Sequence, residues 1–232
     1  MTDDDPSIAE RELLRWSEML SAIARTGLAF TESLYEQERF QEVLEIAAEI
    51  QAGSALPIDP ADLVTEWTKT IGHGVPGYVT PKSTVGAIVG NDDNEILLVK
   101  RADSGIWLYP TGWADVGYSP AEVAVKEVWE ETGIKTEVVR LLGVHDGMRL
   151  GFTRIPLYSH VFQLRAIGGT LRAHPLECED VGFFSEDALP EPMHGVDRWA
   201  SEAFAAIRGE DVPVRFDDVR RPPWEENDAE SK

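Results

Sequence analysis

The sequence predicts an α/β/α layered domain with a mixed β-sheet, preceded by a small all-α N-terminal domain. Between residues 8 and 71, apolar side chains recur every three or four positions, which is the period of an amphipathic helix. Beyond residue 82, short apolar runs bounded by Asn, Asp and Gly alternate with helical patterns, as in layered α/β folds. We therefore expect a helical extension over residues 1–74, an α/β domain over residues 75–222 and a disordered acidic tail over residues 223–232.

Three helices are predicted in the extension, each with one apolar side. The first covers residues 8–24, is expected to stop at Gly27, and has an inward stripe formed by Leu13, Trp16, Leu20 and Ile23. The second covers residues 34–51, and its apolar side consists of Phe40, Val43, Leu44, Ile46 and Ala47. The third begins after the cap Asp59-Pro60 and continues through Leu63, Trp67 and Ile71.

In the remainder of the chain, turn-forming residues separate short apolar runs, as expected for a domain built on a sheet. Residues 72–81 are rich in Gly and Pro and are predicted to be a linker. Strands are predicted over residues 83–89, 95–101, 107–109, 135–144, 156–165, 170–172 and 180–184. A last helix is predicted over residues 196–207.

A helix with a strong start signal lies between these strands. Ser119 followed by Pro120, with Glu122 three residues after the serine, forms a capping box, so the helix is expected to begin at Pro120 and to end before Gly133. Three acids on this helix, Glu127, Glu130 and Glu131, have the i, i+3, i+4 spacing that places side chains on one face. Such a trio either binds a hard cation such as Mg²⁺, Mn²⁺ or Ca²⁺ or is a solvated acidic face.

Residues 112–134 resemble the signature box of the Nudix hydrolases, G-x5-E-x7-R-E-U-x-E-E-x-G-U, in which U is apolar. The matching positions are Gly112, Glu127, Val128, Glu130, Glu131, Gly133 and Ile134. Tyr118 replaces the first Glu of the box, Lys126 replaces its Arg, and Thr111 replaces a Gly that often precedes it. Residues 26–49 also resemble the N-terminal extension of a Nudix branch that acts on nucleoside diphosphates linked to another group.

The resemblance implies a Nudix-type fold and hydrolysis of a diphosphate bond with Mg²⁺ or Mn²⁺ as the cofactor. CDP-choline and ADP-ribose are the substrate types that it suggests. It implies that the metal ligands are Glu127, Glu130, Glu131 and the backbone of Thr111 or Gly112, joined by a distal acid, either Glu177 or Glu179. Those two distal acids could equally belong to a solvated turn. The catalytic residues expected are Glu127, Glu130 and Lys126, where Lys126 keeps the charge of the missing Arg but lacks its planar fork.

Aromatic and basic residues near the box are candidates for substrate binding. Trp113 and Tyr118 are expected to be exposed and able to stack on a base or sugar, whereas Trp107 and Tyr109 are equally suited to the core. Arg101 and Arg149 are candidate phosphate partners because guanidinium groups match phosphate oxygens in geometry.

Composition restricts the possible partners and the compartment. A net charge of -21 disfavours nucleic acid and anionic membranes as partners. A single cysteine, Cys178, excludes an internal disulfide and fits a reducing compartment, and with no apolar run long enough to cross a bilayer we expect a cytoplasmic protein. The apolar stripes of the extension predict a homodimer whose interface shapes the substrate pocket. An alternative to the enzyme is a nucleotide-binding sensor on a catalytically weak or inactive Nudix scaffold, which the changes at Thr111 and Tyr118 would favour.

Overall fold

The computed structural model describes residues 8–53, 58–69, 71, 79–115, 117–151, 153–193 and 195–220. They form two compact units, one within residues 1–82 and 146–157 and the other within residues 83–145 and 158–232. The predicted disordered tail and most of the predicted linker lie outside the described residues.

The helices and strands are given in chain order. The helices are α1 Ile8–Phe30, α2 Leu34–Gly53, α3 Pro60–Thr68, α4 Pro120–Thr132, α5 Gly147–Leu150 and α6 Val196–Ile207. The strands are β1 Lys82–Gly90, β2 Ile96–Arg101, β3 Trp107–Leu108, β4 Thr111–Trp113, β5 Ile134–Asp146, β6 Leu157–Gly169, β7 Cys178–Phe184 and β8 Arg215–Phe216.

The first unit packs α1, α2 and α3 around a small apolar core. Its buried members are Ala24, Leu44, Ala47, Ala48, Leu63 and Trp67. The predicted cap of α3 is present, because the Asp59 side chain accepts a hydrogen bond from the backbone N–H of Ala61 at 2.9 Å. The prediction of a helical region before the sheet domain is confirmed.

Of the four α1 residues predicted to face inward, Leu20 packs against the core of the unit, whereas the inward placement of the other three is wrong. Trp16 and Ile23, placed inward by the helical period, are 49% and 58% exposed. Leu13 is also exposed, and so is Ile46 of α2, which was assigned to the buried side of that helix. The face of α1 that is buried instead carries Leu14, Ser17, Ser21 and Ala24. Small side chains let two helices approach closely, so the larger apolar side chains Leu13, Trp16 and Ile23 are left facing outward.

Gly27 does not end α1, which continues to Phe30. A Cβ at Gly27 would lie 2.3 Å from the ring of Phe40. This glycine therefore serves close packing between α1 and α2 rather than termination, and the sequence signal for a helix stop was misleading.

A buried polar network joins the helices of the first unit. The Ser17 hydroxyl donates to the Ala47 carbonyl at 2.7 Å, and the Arg25 guanidinium lies 3.9 Å from the Glu18 carboxylate. Burial raises the pKa of Glu18 to about 7, although Arg25 and hydrogen bonds from Ser21 and Gln51 oppose the shift. The network keeps a polar component within an otherwise apolar core.

The second unit is built on an eight-stranded mixed sheet with the order β3-β2-β1-β6-β5-β8, with β4 paired to β1 and β7 paired to β2. The β2–β7 pair is antiparallel along the length of both strands, whereas β5 and β8 are parallel. Helix α4 packs on one apolar cluster and α6 on another. The predicted layered fold with a mixed sheet is confirmed.

One predicted strand, over residues 170–172, is wrong. β6 extends to Gly169, and the residues that follow donate backbone hydrogen bonds to the end of α4, from Thr170 to the Gly133 carbonyl and from Arg172 to the Thr132 carbonyl. The short elements β4, β8 and α5 were not predicted. Among the described residues, no helix is both long and apolar enough to span a bilayer.

Candidate active site

Helix α4 has the boundaries that its capping signals predict. The Ser119 hydroxyl accepts from the backbone N–H of Glu122, and the Glu122 carboxylate accepts from the backbone N–H of Ser119 at 2.7 Å. Gly133 ends the helix in the left-handed conformation at φ 71°. Val123, Ala124 and Val128 are buried against the sheet, so the acidic face of the helix is held in a fixed orientation.

Glu127 lies directly over the backbone of β4. β4 pairs with β1 in antiparallel register, with Gly112 opposite Val85. A Cβ at Gly112 would lie 2.1 Å from the carboxyl carbon of Glu127. A glycine at this position is therefore what leaves room for the Glu127 carboxylate beside the strand.

Glu131 is the most buried acid of the trio. Its side chain is only 4% exposed. A hydrogen bond with the backbone of Thr111 lowers its pKa, which shows that the two residues lie together. Its Oε2 atom is buried without a hydrogen-bond partner among the described residues. A buried carboxylate oxygen that lacks a partner is unfavourable, and it is an atom to which a cation could bind.

The electrostatics of the pair Glu127 and Glu131 favour protonation. Burial raises the pKa of Glu127 to about 7 and that of Glu131 to about 8. Repulsion between carboxylates also raises both pKa values, because Glu127 repels Glu131 and Glu177 repels both. Lys126 and Arg101 oppose the shifts of Glu127 and Glu131 respectively. Nearby positive charge would return these carboxyl groups to the ionised form.

Glu130 occupies a different environment from its two neighbours. Its Oε2 atom lies 3.2 Å from the Nζ atom of Lys126, which also lies 2.9 Å from the Oδ2 atom of Asp115. These two ion pairs raise the pKa of Lys126 and leave all three side chains partly exposed. Lys126, which stands at the Arg position of the box, thus contacts Asp115 and Glu130.

The structure distinguishes between the two distal acids. Residues 170–178 run along the end of α4, where the backbone N–H of His174 donates to the Glu131 carbonyl at 3.0 Å. Glu177 belongs to this segment, and its charge acts on both Glu127 and Glu131. Glu179 instead forms an ion pair with Lys100 at 2.7 Å. Of the two, Glu177 is the acid brought into the site.

The structure divides the four candidate aromatic residues into a core pair and an exposed pair. Trp107 and Tyr109 pack edge to face against Phe184 and Trp199, so they belong to the core. Trp113 and Tyr118 are 48% and 54% exposed, as expected. Trp113 follows Gly112 on β4, whereas Tyr118 lines a shallow depression with Ala121, Glu122, Val125 and Val138. Ala121 and Val125 lie on a different face of α4 from Glu127 and Glu131, so Tyr118 is directed away from these acids.

The two candidate arginines also differ. Arg101 makes a two-pronged ion pair with Asp103, at 2.9 and 2.5 Å, and its charge acts on Glu131. It is therefore within electrostatic range of the acids. Arg149 lies on α5, in the first unit.

Comparison with known proteins agrees with this geometry. The NUDIX domain model matches residues 80–204, which is more than half of the chain. The chain belongs to the Nudix hydrolase family. The predicted enzyme class is thereby confirmed. A second model, described as a UDP-X-like N-terminal oligomerisation domain, matches residues 11–58 of this Nudix hydrolase.

Relatives extend the match over most of this Nudix hydrolase. The candidate ADP-ribose pyrophosphatase YjhB of Bacillus subtilis (strain 168) is 33% identical over 207 residues, covering 88% of this chain and 96% of the relative. A crystal structure of a UDP-X diphosphatase superposes with a TM-score of 0.54 at 27% identity, covering 90% of this chain and 99% of the other. An ADP-ribose pyrophosphatase structure from Streptococcus suis 89-1591 has a TM-score of 0.52 at 32% identity, covering 60% and 100%.

Nudix hydrolases use divalent metal ions, and the site fits one only in part. Glu127 and Glu131 offer hard carboxylate oxygens, and the unpartnered oxygen of Glu131 is an atom that a cation could contact, whereas the Thr111 backbone N–H donates to the Glu131 carboxylate. In the described part of the chain, however, no three His, Cys, Asp or Glu side chains are grouped closely enough to hold a metal. Glu127 and Glu131 therefore fit as the centre of a metal site, while Glu130 is engaged by Lys126.

Sequence reasoning missed Asp115. The box has no acid at Tyr118, and Asp115 is the nearest preceding carboxylate along the chain, so the departure from the Nudix pattern was itself a signal to look there. The residue lies between β4 and α4 and contacts Lys126.

Proposed function

We propose that this Nudix hydrolase uses Mg²⁺ or Mn²⁺ to hydrolyse the diphosphate bond of a nucleoside diphosphate linked to another moiety. The observation that carries the proposal is the buried, unpartnered carboxylate oxygen of Glu131 beside Glu127 and the backbone of Thr111. Relatives named for ADP-ribose and UDP-X support this substrate class. ADP-ribose and CDP-choline are our first candidate substrates.

Each residue has a separate task in this proposal. The metal is held by Glu127, Glu131, the backbone of Thr111 and Glu177. Glu130 joins these ligands when it leaves Lys126. The bound ion would neutralise phosphate charge and lower the pKa of water. One of these carboxylates, ionised beside the bound ion, or another acid near the site accepts the proton from the attacking water.

Substrate binding is assigned to side chains outside the trio. Trp113 is exposed on β4 next to Gly112, where it can stack on the base. Arg101 can offer its guanidinium to a phosphate by exchanging its contact with Asp103.

The test is a substrate panel with a paired set of variants. ADP-ribose, CDP-choline and UDP-glucose would be incubated with Mg²⁺ or Mn²⁺ and the products identified by ³¹P NMR. We expect cleavage between the two phosphorus atoms, and a loss of about 10³-fold in kcat/KM for Glu131→Gln, because losing several kcal/mol of transition-state stabilisation has that effect. Glu186→Gln, which removes an exposed carboxylate paired with Arg208, is the control and should keep full activity.

A catalytically weak or inactive sensor is the second candidate, favoured by the engagement of Glu130 with Lys126 and by the absence of an acid at Tyr118. Tight nucleotide binding without turnover of any diphosphate in the panel would support it and contradict the hydrolase.

We further propose a homodimer formed through the helical extension, and the domain limits 1–74, 75–222 and 223–232. Two observations support the dimer: an exposed apolar stripe on α1, formed by Leu13, Trp16, Met19 and Ile23, and the oligomerisation-domain match over residues 11–58. A single cysteine fits a reducing compartment, so we place the activity in the cytoplasm.

A further inference from the structure

The ammonium group of Lys126 links the loop before α4 to the acidic face of the helix. The Nζ atom of Lys126 lies 2.9 Å from the Oδ2 atom of Asp115 and 3.2 Å from the Oε2 atom of Glu130. Asp115 is eleven residues before Lys126, in the connection between β4 and α4. That connection follows Gly112 and Trp113, and its neighbour Ala114 donates a backbone hydrogen bond to Ser83 on β1.

This region has one carboxylate fewer than the Nudix box, because Tyr118 replaces the first Glu. The Tyr118 side chain, which stands where the Nudix box has that acid, lies in the depression with Ala121 and Val125. Asp115 supplies a carboxylate from three residues earlier. A lysine suits this arrangement, because its ammonium can donate in several directions and so contact two carboxylates at once.

We propose that Asp115 is a positioning residue, which fixes the loop onto α4 through Lys126 and, by sharing that ammonium group, leaves Glu130 able to move to a bound metal. The inference rests on the proposed function, in which Glu130 joins the metal site. With Asp115 present, Lys126 divides its charge between two acids and holds Glu130 less strongly. Without Asp115, Lys126 is left to Glu130 alone, and the carboxylate becomes harder to release to a cation.

The ion pair is too exposed to be important for folding. The side chains of Lys126, Asp115 and Glu130 are 32%, 51% and 47% exposed, and ion pairs of this kind contribute little to stability. A large effect of Asp115 on turnover would therefore report on placement of Glu130 rather than on loss of the fold.

The activity test compares Asp115→Asn, Asp115→Glu and the control Glu186→Gln. The control is matched because Arg208 also lies between two partly exposed carboxylates, Glu186 at 2.7 Å and Glu210 at 2.8 Å. We expect Asp115→Asn to lower kcat by about 10- to 100-fold, the size of effect that groups orienting metal ligands have, with an unchanged KM for the nucleotide. Asp115→Glu should restore most of kcat. Equal kcat values for Asp115→Asn and Glu186→Gln would overturn the proposal.

A second readout does not depend on turnover. In metal-free protein, the backbone amide of Tyr118, which donates to the Asp115 carbonyl, should exchange with solvent faster in Asp115→Asn than in the wild type or in Glu186→Gln. If the wild type hydrolysed no diphosphate, the proposed function would fail, while this exchange measurement would still decide whether Asp115 fixes the loop. Unchanged exchange in Asp115→Asn would overturn the loop attachment.

Discussion

The Glu131 carboxyl group is the side chain that most constrains chemistry in this molecule. It is almost completely buried, one of its oxygens lacks a hydrogen-bond partner among the described residues, and its pKa is raised to about 8 by burial and by Glu127. A fold gains nothing in stability from such a group when it is ionised and unpaired. Perturbed acids in this situation are typical of functional sites, and a bound cation would remove both the missing partner and the repulsion.

Gly112 offers a direct test of the contact with Glu127. In Gly112→Ala the new Cβ would lie 2.1 Å from the Glu127 carboxyl carbon, so that flexible side chain must move away. We expect kcat to fall by about 10²-fold, as displacements near 1 Å can cause, with little change in melting temperature. Gly53→Ala, where an added Cβ has no atom within 4 Å, is the control. Full activity in Gly112→Ala would show that the position of Glu127 is unimportant.

The same two acids predict how pH and metal affect stability. The pKa values of Glu127 and Glu131 rise from 4.5 to about 7 and about 8 in the folded, metal-free protein. Between about pH 4.5 and pH 8 the folded chain binds more protons than the unfolded chain. The free energy of unfolding therefore falls as pH rises through this range. A divalent ion competes with these protons.

Melting temperatures in EDTA and in saturating Mn²⁺ check this prediction. We expect Mn²⁺ to raise the melting temperature more at about pH 8.5 than at about pH 6, and Glu131→Gln to remove most of the difference. An equal rise at both pH values would contradict the assigned ligands.

At the scale of elements, local signals were predictable and distant partners were not. The bounds of α4 follow from Ser119, Glu122 and Gly133, which act within a few residues, and the structure has the bounds that they predict. The metal roles of the acids remain predictions. The segment after β6 could not be assigned, because its backbone partners lie at the end of α4, far away in sequence. The helical period revealed an apolar stripe on α1 but not which neighbour would cover it.

The C-terminal end of α4 contacts the segment that carries Glu177. Gly133 has φ 71°, and a Cβ there would lie 2.5 Å from the Thr170 carbonyl oxygen. Gly133→Ala should therefore both strain the backbone and push away the segment that carries Glu177. We expect a loss of about 2–4 kcal/mol in the free energy of unfolding, the sum of a left-handed alanine and a local clash, together with reduced kcat.

Gly209→Ala separates the two causes of that loss. Gly209 follows α6 with φ 80°, and an added Cβ there has no atom within 4 Å. It should cost only the conformational term of about 1–2 kcal/mol and leave kcat unchanged. Denaturant unfolding gives both values, and equal losses for the two variants would exclude a role for the Thr170 contact.

For the whole molecule, charge and apolar surface act in opposite directions on self-association. A net charge of -21 repels a second copy, and this repulsion weakens as salt screens it. The α1 stripe of Leu13, Trp16, Met19 and Ile23 offers apolar area for contact, since the small face of the same helix is already used within the unit. A dimer formed through this stripe should therefore become tighter as salt is added.

Ile23 and Ile167 form a matched pair for testing where the dimer contact lies. Both side chains are 58% exposed, but Ile23 belongs to the α1 stripe and Ile167 to β6. In Ile23→Glu a charge would enter the proposed interface, so we expect the dimer dissociation constant to rise by about 30-fold, equivalent to about 2 kcal/mol at a central contact. Ile167→Glu adds the same charge to each protomer and should change the constant only slightly. Sedimentation equilibrium measures both values, and an equal shift for the two variants would place the contact elsewhere. A wild type that stays monomeric at every concentration would contradict the dimer itself.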